Sequence, residues 1–275
     1  MSLAHTLPCR PVRLGALDWI ALHALALWPH GLYLVQRAVD GSDDPLGLLA
    51  LAAVAAWVVW HRHGLRLTPR IGWLVAAMAL ALAANGAWCV GVPALLSSLL
   101  AALSLVCALF AWRPAAQPRA PLAGLVVLAL PWIASLQFYL GFPLRVVTAQ
   151  LSAWALQLAG YQAARSGASM VVNGQLVIVD APCSGVQMAW LAYFTACGAA
   201  AALGQPDRVF MRRAAWVGVI VLLGNVLRNS VLVALEARPQ GLAPWAHETI
   251  GLMALVAVIA VIVRLAATPD LETSA

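Results

Sequence analysis

Long apolar runs separated by short polar stretches occupy most of the chain. A membrane-spanning helix needs about 20 mostly apolar residues. Eight runs come near this length, over residues 16–35, 46–60, 71–92, 94–112, 122–142, 183–203, 214–235 and 245–265. We therefore predict an all-α polytopic membrane protein with about eight transmembrane helices, in which Pro29 kinks the first helix and Pro131 lies inside the fifth.

The stretch between the fifth and sixth runs has a different pattern. Residues 143–164 carry apolar side chains at helical spacing with arginine and glutamine between them, which predicts an amphipathic helix in the membrane interface. Two β-branched runs then flank Asn173-Gly174 and predict a short β-hairpin. Because a hairpin exposed to lipid would leave backbone groups unpaired, we expect it at the membrane surface or inside the protein.

We interpret the chain as a single integral-membrane domain with three parts. Residues 14–142 are an N-terminal part with five spans, and residues 143–182 hold the external helix and the hairpin. Residues 183–266 are a part with three spans, and this part carries the candidate chemistry.

Composition and charge agree with this architecture. The chain has 275 residues, of which 63% are hydrophobic and only 9% are charged, and this excludes a soluble globular domain. The formal net charge of +6 comes from arginines in short loops between apolar runs. Such a distribution is typical of charges that set membrane topology, so we expect the lipid bilayer as a partner and no nucleic acid.

The arginine distribution predicts the orientation in the membrane. With a cytoplasmic N-terminus, eleven arginines fall in inner segments and four in outer segments, while Arg228 lies within a span. The positive-inside rule favours this arrangement. We therefore expect a multi-pass protein of the bacterial inner membrane whose outer ends face the periplasm.

Cys183 stands out among the five cysteines, at positions 9, 89, 107, 183 and 197. None forms a C-x-x-C pair, so we expect neither a disulfide framework nor a metal site, and no cofactor. Cys183 follows Pro182 and precedes Ser184 and Gly185 at the start of the sixth predicted helix. A helix N-terminus lowers the pKa of a thiol and makes it nucleophilic.

Arg228 and His247 are expected at the same membrane face as Cys183. A guanidinium within a span is costly and usually has a functional partner. Asn225, three residues earlier, lies on roughly the same helical face and can orient the guanidinium. His247 begins the last predicted helix at its outer end, next to Glu248.

Three short motifs carry a resemblance to a known family. They are P-C-S-G-V-Q at 182–187, G-N-V-L-R-N-S at 224–230 and H-E-T-I-G at 247–251. Their order and spacing resemble the exosortase/archaeosortase family of polytopic membrane cysteine transpeptidases. The resemblance implies Cys183 as the nucleophile, with Arg228 and His247 as its catalytic partners. Members often carry a basic residue where this chain has Gln187.

The resemblance also implies a substrate class and a reaction. The substrates would be exported proteins with a C-terminal sorting signal, made of a short Pro-Glu-Pro-like motif, a membrane helix and a basic tail. In our hypothesis His247 takes the Cys183 proton, and Arg228 with Gln187 stabilises the oxyanion. Ser184, Asn225 and Glu248 are supporting residues, and an acceptor amine or water resolves the thioester.

Three alternatives remain open at this point. The same residues fit a membrane cysteine protease in which water ends the reaction. A thiol–disulfide oxidoreductase would need a second cysteine near Cys183, and Cys197 is about 21 Å away along one helix. A transporter or assembly protein would explain the spans and one intramembrane arginine, but not three reactive residue types at one face.

Overall fold

A computed structural model describes residues 14–178, 184–238 and 242–268. These residues form ten α-helices, a short 3-10 turn at Arg62–Gly64 and three strands. The helices are α1 (Ala16–Ala26), α2 (Trp28–Val39), α3 (Leu46–Trp60), α4 (Ile71–Cys89), α5 (Ala94–Trp112), α6 (Ala120–Leu128), α7 (Ile133–Leu158), α8 (Val186–Ala202), α9 (Asp207–Glu236) and α10 (Pro244–Ala267). The strands are β1 (Ala163–Ser166), β2 (Ser169–Val172) and β3 (Gln175–Ile178).

The number of helices able to cross a membrane is smaller than predicted. Within the described ranges, α4, α5, α9 and α10 are long and apolar enough, and α6 with α7 makes at most a fifth span. The apolar helices α1, α3 and α8 have 11, 15 and 17 residues. The prediction of about eight spans is therefore not confirmed, although the mostly helical membrane architecture is.

The first apolar run is divided into two helices. We predicted one kinked helix over residues 16–35, but α1 ends at Ala26 and α2 begins at Trp28, with Leu27 between them. Pro29 stands in the first turn of α2, where its missing N–H costs nothing. The proline therefore starts a new helix.

The fifth apolar run differs more strongly from the prediction. We expected one span over 122–142 followed by a separate interfacial helix, but α6 ends at Leu128 and α7 runs on to Leu158 at 92° to it. The break coincides with Pro131, which cannot donate a helical hydrogen bond, whereas Pro143 is accommodated inside α7. The predicted interfacial segment, residues 143–164, is the second half of this longer helix up to Leu158, and its last two residues belong to β1.

Two tryptophans satisfy the backbone at the break. The indole of Trp132 donates to the carbonyl of Val127 at 2.8 Å, and the indole of Trp190 in α8 donates to the carbonyl of Leu128 at 3.2 Å. Carbonyls at a helix end have no partner within the helix, and lipid offers none. The bend is thus stabilised by side chains of the protein.

The predicted hairpin is confirmed, and a third strand extends it. Asn173 and Gly174 have φ of 49° and 81°, as a two-residue hairpin turn requires, and Val172 pairs with Gln175. β1 pairs antiparallel with β2 and was not predicted, because its sequence Ala-Ala-Arg-Ser lacks β-branched residues. The buried face of the sheet packs against α7 and α9 through Met170 and Val172.

Asp207, the first residue of α9, caps the start of α6. Its carboxylate accepts the backbone N–H groups of Arg119 and Ala120 at 2.7 and 2.8 Å and also contacts the Arg119 guanidinium. These N–H groups have no partner within α6.

Replacement of Asp207 should therefore weaken the α6–α9 contact. We expect Asp207→Ala to lower the free energy of unfolding by about 1–2 kcal/mol, as loss of a helix cap does. Asp207→Asn keeps an acceptor oxygen and should lose less. Thermal unfolding in detergent compares the two, and equal stability of Asp207→Ala and wild type would contradict this role.

Candidate active site

Cys183 itself, like Asp180, lies outside the described residues, and the chain is described again from Ser184. We predicted that the sixth helix begins at Cys183, but α8 begins at Val186. Gly185 has φ of 81°, a left-handed conformation that only glycine adopts at little cost and that a helix does not contain. The start is therefore three residues later than predicted.

Ser184 is buried and anchors the entry to α8. Its hydroxyl donates to Oε1 of Gln137 in α7 at 3.0 Å, and it accepts the backbone N–H of Val186 at 3.4 Å. The residue that directly follows Cys183 is therefore held against the first part of α7.

Asn225 of α9 packs directly on Gly185. A Cβ atom at Gly185 would lie 2.9 Å from Nδ2 of Asn225, so the close approach also depends on glycine. Asn225 is only 1% exposed, and its amide donates to the Thr148 hydroxyl of α7 at 3.2 Å. One turn along α9, Asn229 donates to the Ser152 hydroxyl at 2.9 Å. A ladder of buried polar contacts thus joins α7 to α9 beside the start of α8.

Arg228 lies against α10. Its Nε and Nη2 atoms are each 3.2 Å from the position that a Cβ of Gly251 would occupy. His247 lies four residues before Gly251 and therefore on the same face of α10. Arg228 and His247 are both half-buried. The arginine and the histidine thus share the interface between α9 and α10.

Of α8, α9 and α10, the helix α9 runs antiparallel to the other two, which places these residues at one end. Gly224 packs on Val258 just as Arg228 packs on Gly251, and Tyr193 of α8 donates to the Ala214 carbonyl of α9 at 3.2 Å. Since Asn225 is level with Gly185, Arg228 lies about 4.5 Å beyond the start of α8. This is the end at which the chain enters α8.

Gln187 and Glu248 lie at the exposed rim of this end. The Gln187 amide donates to Oδ2 of Asp44, in the loop between α2 and α3, at 2.8 Å. Glu248 is exposed near the start of α10, one residue after His247. Next to Asp44, Asp43 is buried, and this burial raises the pKa of its carboxyl.

A cavity of about 420 Å³ opens beside Ser184. The polar side chains of Ser184, Thr148 and Asn225 line one end of it. Apolar side chains of α6 to α9 line the rest and include Leu140, Trp190 and Val221. Asn225 and Tyr193 lie about 10–12 Å apart along this cavity, judged from the helical rise. Among the described residues, no three His, Cys, Asp or Glu side chains come together as metal ligands would.

Comparison with protein families identifies the chain. The model of the transmembrane exosortases matches residues 38–264, from the last residues of α2 into α10. The chain belongs to this family. Searches of curated proteins and of solved structures returned no match. The family match covers α3 to α9 and most of α10, and with them the three motifs.

Sequence reasoning missed several residues that hold this part of the exosortase together. Gln137, Thr148 and Asp44 contact Ser184, Asn225 and Gln187, respectively. Thr148 and Ser152 are four residues apart, as are Asn225 and Asn229, and this matched spacing on two apolar helices was a usable signal. No local pattern marks Asp44, because its partner is 143 residues away.

Proposed function

We propose that this exosortase is a membrane cysteine transpeptidase that uses Cys183, Arg228 and His247. The contact that carries the proposal is that of the Arg228 guanidinium with Gly251, one turn from His247 on α10. One turn along α9, Asn225 packs on Gly185, two residues from the nucleophile. In this proposal the base His247, the cation Arg228 and the residues that follow the nucleophile belong to one end of the packed helices α8, α9 and α10.

The reaction proceeds in two acyl-transfer steps. His247 accepts the Cys183 thiol proton, and the thiolate attacks a peptide carbonyl of the substrate. Arg228, together with Gln187, stabilises the negative charge on the carbonyl oxygen. The C–N bond then breaks, the His247 proton goes to the leaving amine, and a thioester to Cys183 remains.

The nucleophile of the second step decides the type of enzyme. An acceptor amine attacks the thioester carbonyl, loses a proton and releases the Cys183 thiolate, which is transpeptidation. Water at the same step gives a carboxylic acid product and makes the protein a membrane cysteine protease. Both outcomes use the same three residues.

The substrates in this proposal are exported proteins with a C-terminal sorting signal. The signal consists of a short Pro-Glu-Pro-like motif, a membrane helix and a basic tail. The apolar walls of the cavity beside Ser184 support an apolar substrate segment at this site.

The proposed orientation has a cytoplasmic N-terminus and an active site that faces the periplasm from the bacterial inner membrane. Arginine-rich ends of several helices meet at the opposite end of the bundle. The Arg66 N–H donates to the carbonyl of the last residue of α5, Arg119 pairs with the first residue of α9, and Arg213 donates to a carbonyl in the last turn of α10.

We also propose that about eight helical segments of the chain cross the membrane. α8 has 17 residues and is about 26 Å long, close to the thickness of the hydrocarbon core. It begins at the active-site end and ends at the arginine-rich end, as a crossing helix would.

Thiol–disulfide exchange is disfavoured by the continuity of α8. The helix is unbroken from Val186 to Ala202, and Cys197 is buried eleven residues after its start, or about 16 Å. Cys197 therefore cannot approach the residue before Ser184 without unfolding of the helix.

Substitution of any of the three proposed catalytic residues should stop or strongly slow the processing of a tagged exported protein that carries a C-terminal apolar segment and a basic tail. Cys183→Ala and His247→Ala should abolish cleavage, because they remove the nucleophile and its base. Arg228→Ala should slow cleavage about 10²–10³-fold, as loss of one oxyanion donor does. Immunoblots of membranes at equal enzyme abundance measure this.

Cys89→Ala is the control, since Cys89 is a free, exposed thiol outside the site and should be dispensable. Normal cleavage by Cys183→Ala, in cells that lack a second exosortase, would refute the proposal.

Gly251→Ala tests whether the position of Arg228 matters. A methyl group there would lie 3.2 Å from two guanidinium nitrogens and should displace them. We expect cleavage to fall about 10–100-fold, because a misplacement of about 1 Å has effects of this size. Gly198→Ala is the matched control, since an added Cβ there meets no atom within 4 Å. Undiminished cleavage by a folded Gly251→Ala protein would contradict this account.

A further inference from the structure

The loop between α2 and α3 connects the N-terminal half to the entry of α8. Oδ1 of Asp43 accepts the N–H of Ala134 in the first turn of α7 at 3.2 Å, and Oδ2 lies 4.0 Å from the Arg37 guanidinium. Arg37 also donates to the Ser42 carbonyl at 3.1 Å. The loop that carries the neighbouring Asp44 is therefore held in place by these contacts.

Asp44 determines which way the Gln187 amide points. A carboxylate oxygen accepts hydrogen bonds and does not donate, so the amide nitrogen of Gln187 must face Asp44, as the 2.8 Å contact has it. An amide nitrogen carries two hydrogens. One is engaged by Asp44, and the other N–H then points in a defined direction from an exposed side chain.

We propose that Asp44 is a positioning residue of the active site, which orients Gln187 so that its second N–H donates to the oxyanion. The inference rests on the proposed function, and it gives the N-terminal half a part in the chemistry that acts through Gln187. Gln187 is in the first turn of α8, four residues after Cys183. Arg228 supplies charge to the oxyanion, and Gln187 supplies a second, neutral donor.

The contribution of Asp44 is preorganisation. A free glutamine side chain populates several rotamers, and fixing it costs free energy during the reaction. The hydrogen bond to Asp44 fixes the amide before the substrate arrives, so the donor needs no reorganisation as charge develops. Its loss should slow acylation less than loss of a principal donor does.

The test measures initial cleavage rates of the tagged exported protein at equal enzyme abundance. Asp44→Ala and Gln187→Ala should each be about tenfold slower than wild type, and the double variant no slower than Gln187→Ala. Asp44→Asn keeps an acceptor oxygen and should stay within about threefold of wild type. Asp40→Ala is the matched control, because the hydrogen bonds of the Asp40 carboxylate within the described part of the chain go to Ser42 of the same loop.

A double variant that exchanges the donor and the acceptor at positions 44 and 187 tests whether Asp44 orients the Gln187 amide or only anchors α8. The double variant Asp44→Asn with Gln187→Glu restores a hydrogen bond between the two positions but leaves no N–H at position 187. It should remain about tenfold slow. Restored cleavage would overturn the inference, since the pair would then only hold α8 in place.

Two further readouts complete the test. The rate at which iodoacetamide alkylates Cys183 without substrate should be unchanged in Asp44→Ala, and a large change would mean a structural role and overturn the inference. Cys183→Ala is measured in the same series. If it cleaves normally, the proposed function fails; if it is inactive while Asp44→Ala is as fast as wild type, only the inference about Asp44 fails.

Discussion

Polar side chains inside an apolar bundle must find their partners within the protein, because lipid offers none. The amides of Asn225 and Asn229, 1% and 2% exposed, meet this constraint by bonding to the hydroxyls of Thr148 and Ser152. The same ladder fixes the depth of α9 against α7 and against Gly185. The position of Arg228, one turn beyond Asn225, follows from it.

The bend at the α6–α7 junction makes this ladder possible. Because the chain turns by 92° near Pro131, α7 passes the entry of α8 and continues beside α9. It thereby supplies Gln137 to Ser184 and Thr148 to Asn225. A straight span would have carried these residues across the membrane instead. The N-terminal half contributes to the same end through the Asp43-Asp44 loop.

Local signals in the sequence predicted some elements well. The bounds of α3 and α5 agree with the prediction, because proline and charged residues delimit these apolar runs, and Asn173-Gly174 predicted the hairpin turn. The bend between α6 and α7 was not predicted, because the apolar pattern is the same on both sides of Pro131. The start of α8 was misplaced because a left-handed Gly185 looks like any other glycine in a sequence. Contacts such as that of Asp44 depend on the tertiary fold alone.

The proposed reaction passes through a thioester on Cys183, which mass spectrometry of that residue can detect. Membranes that contain the wild-type enzyme and the tagged exported protein are digested and analysed. We expect an adduct on Cys183 that matches the N-terminal portion of the substrate and is released by hydroxylamine. Absence of any adduct, with Cys183 also unreactive toward an externally applied thiol reagent at neutral pH, would identify a buried structural cysteine and rule out the proposed acyl transfer.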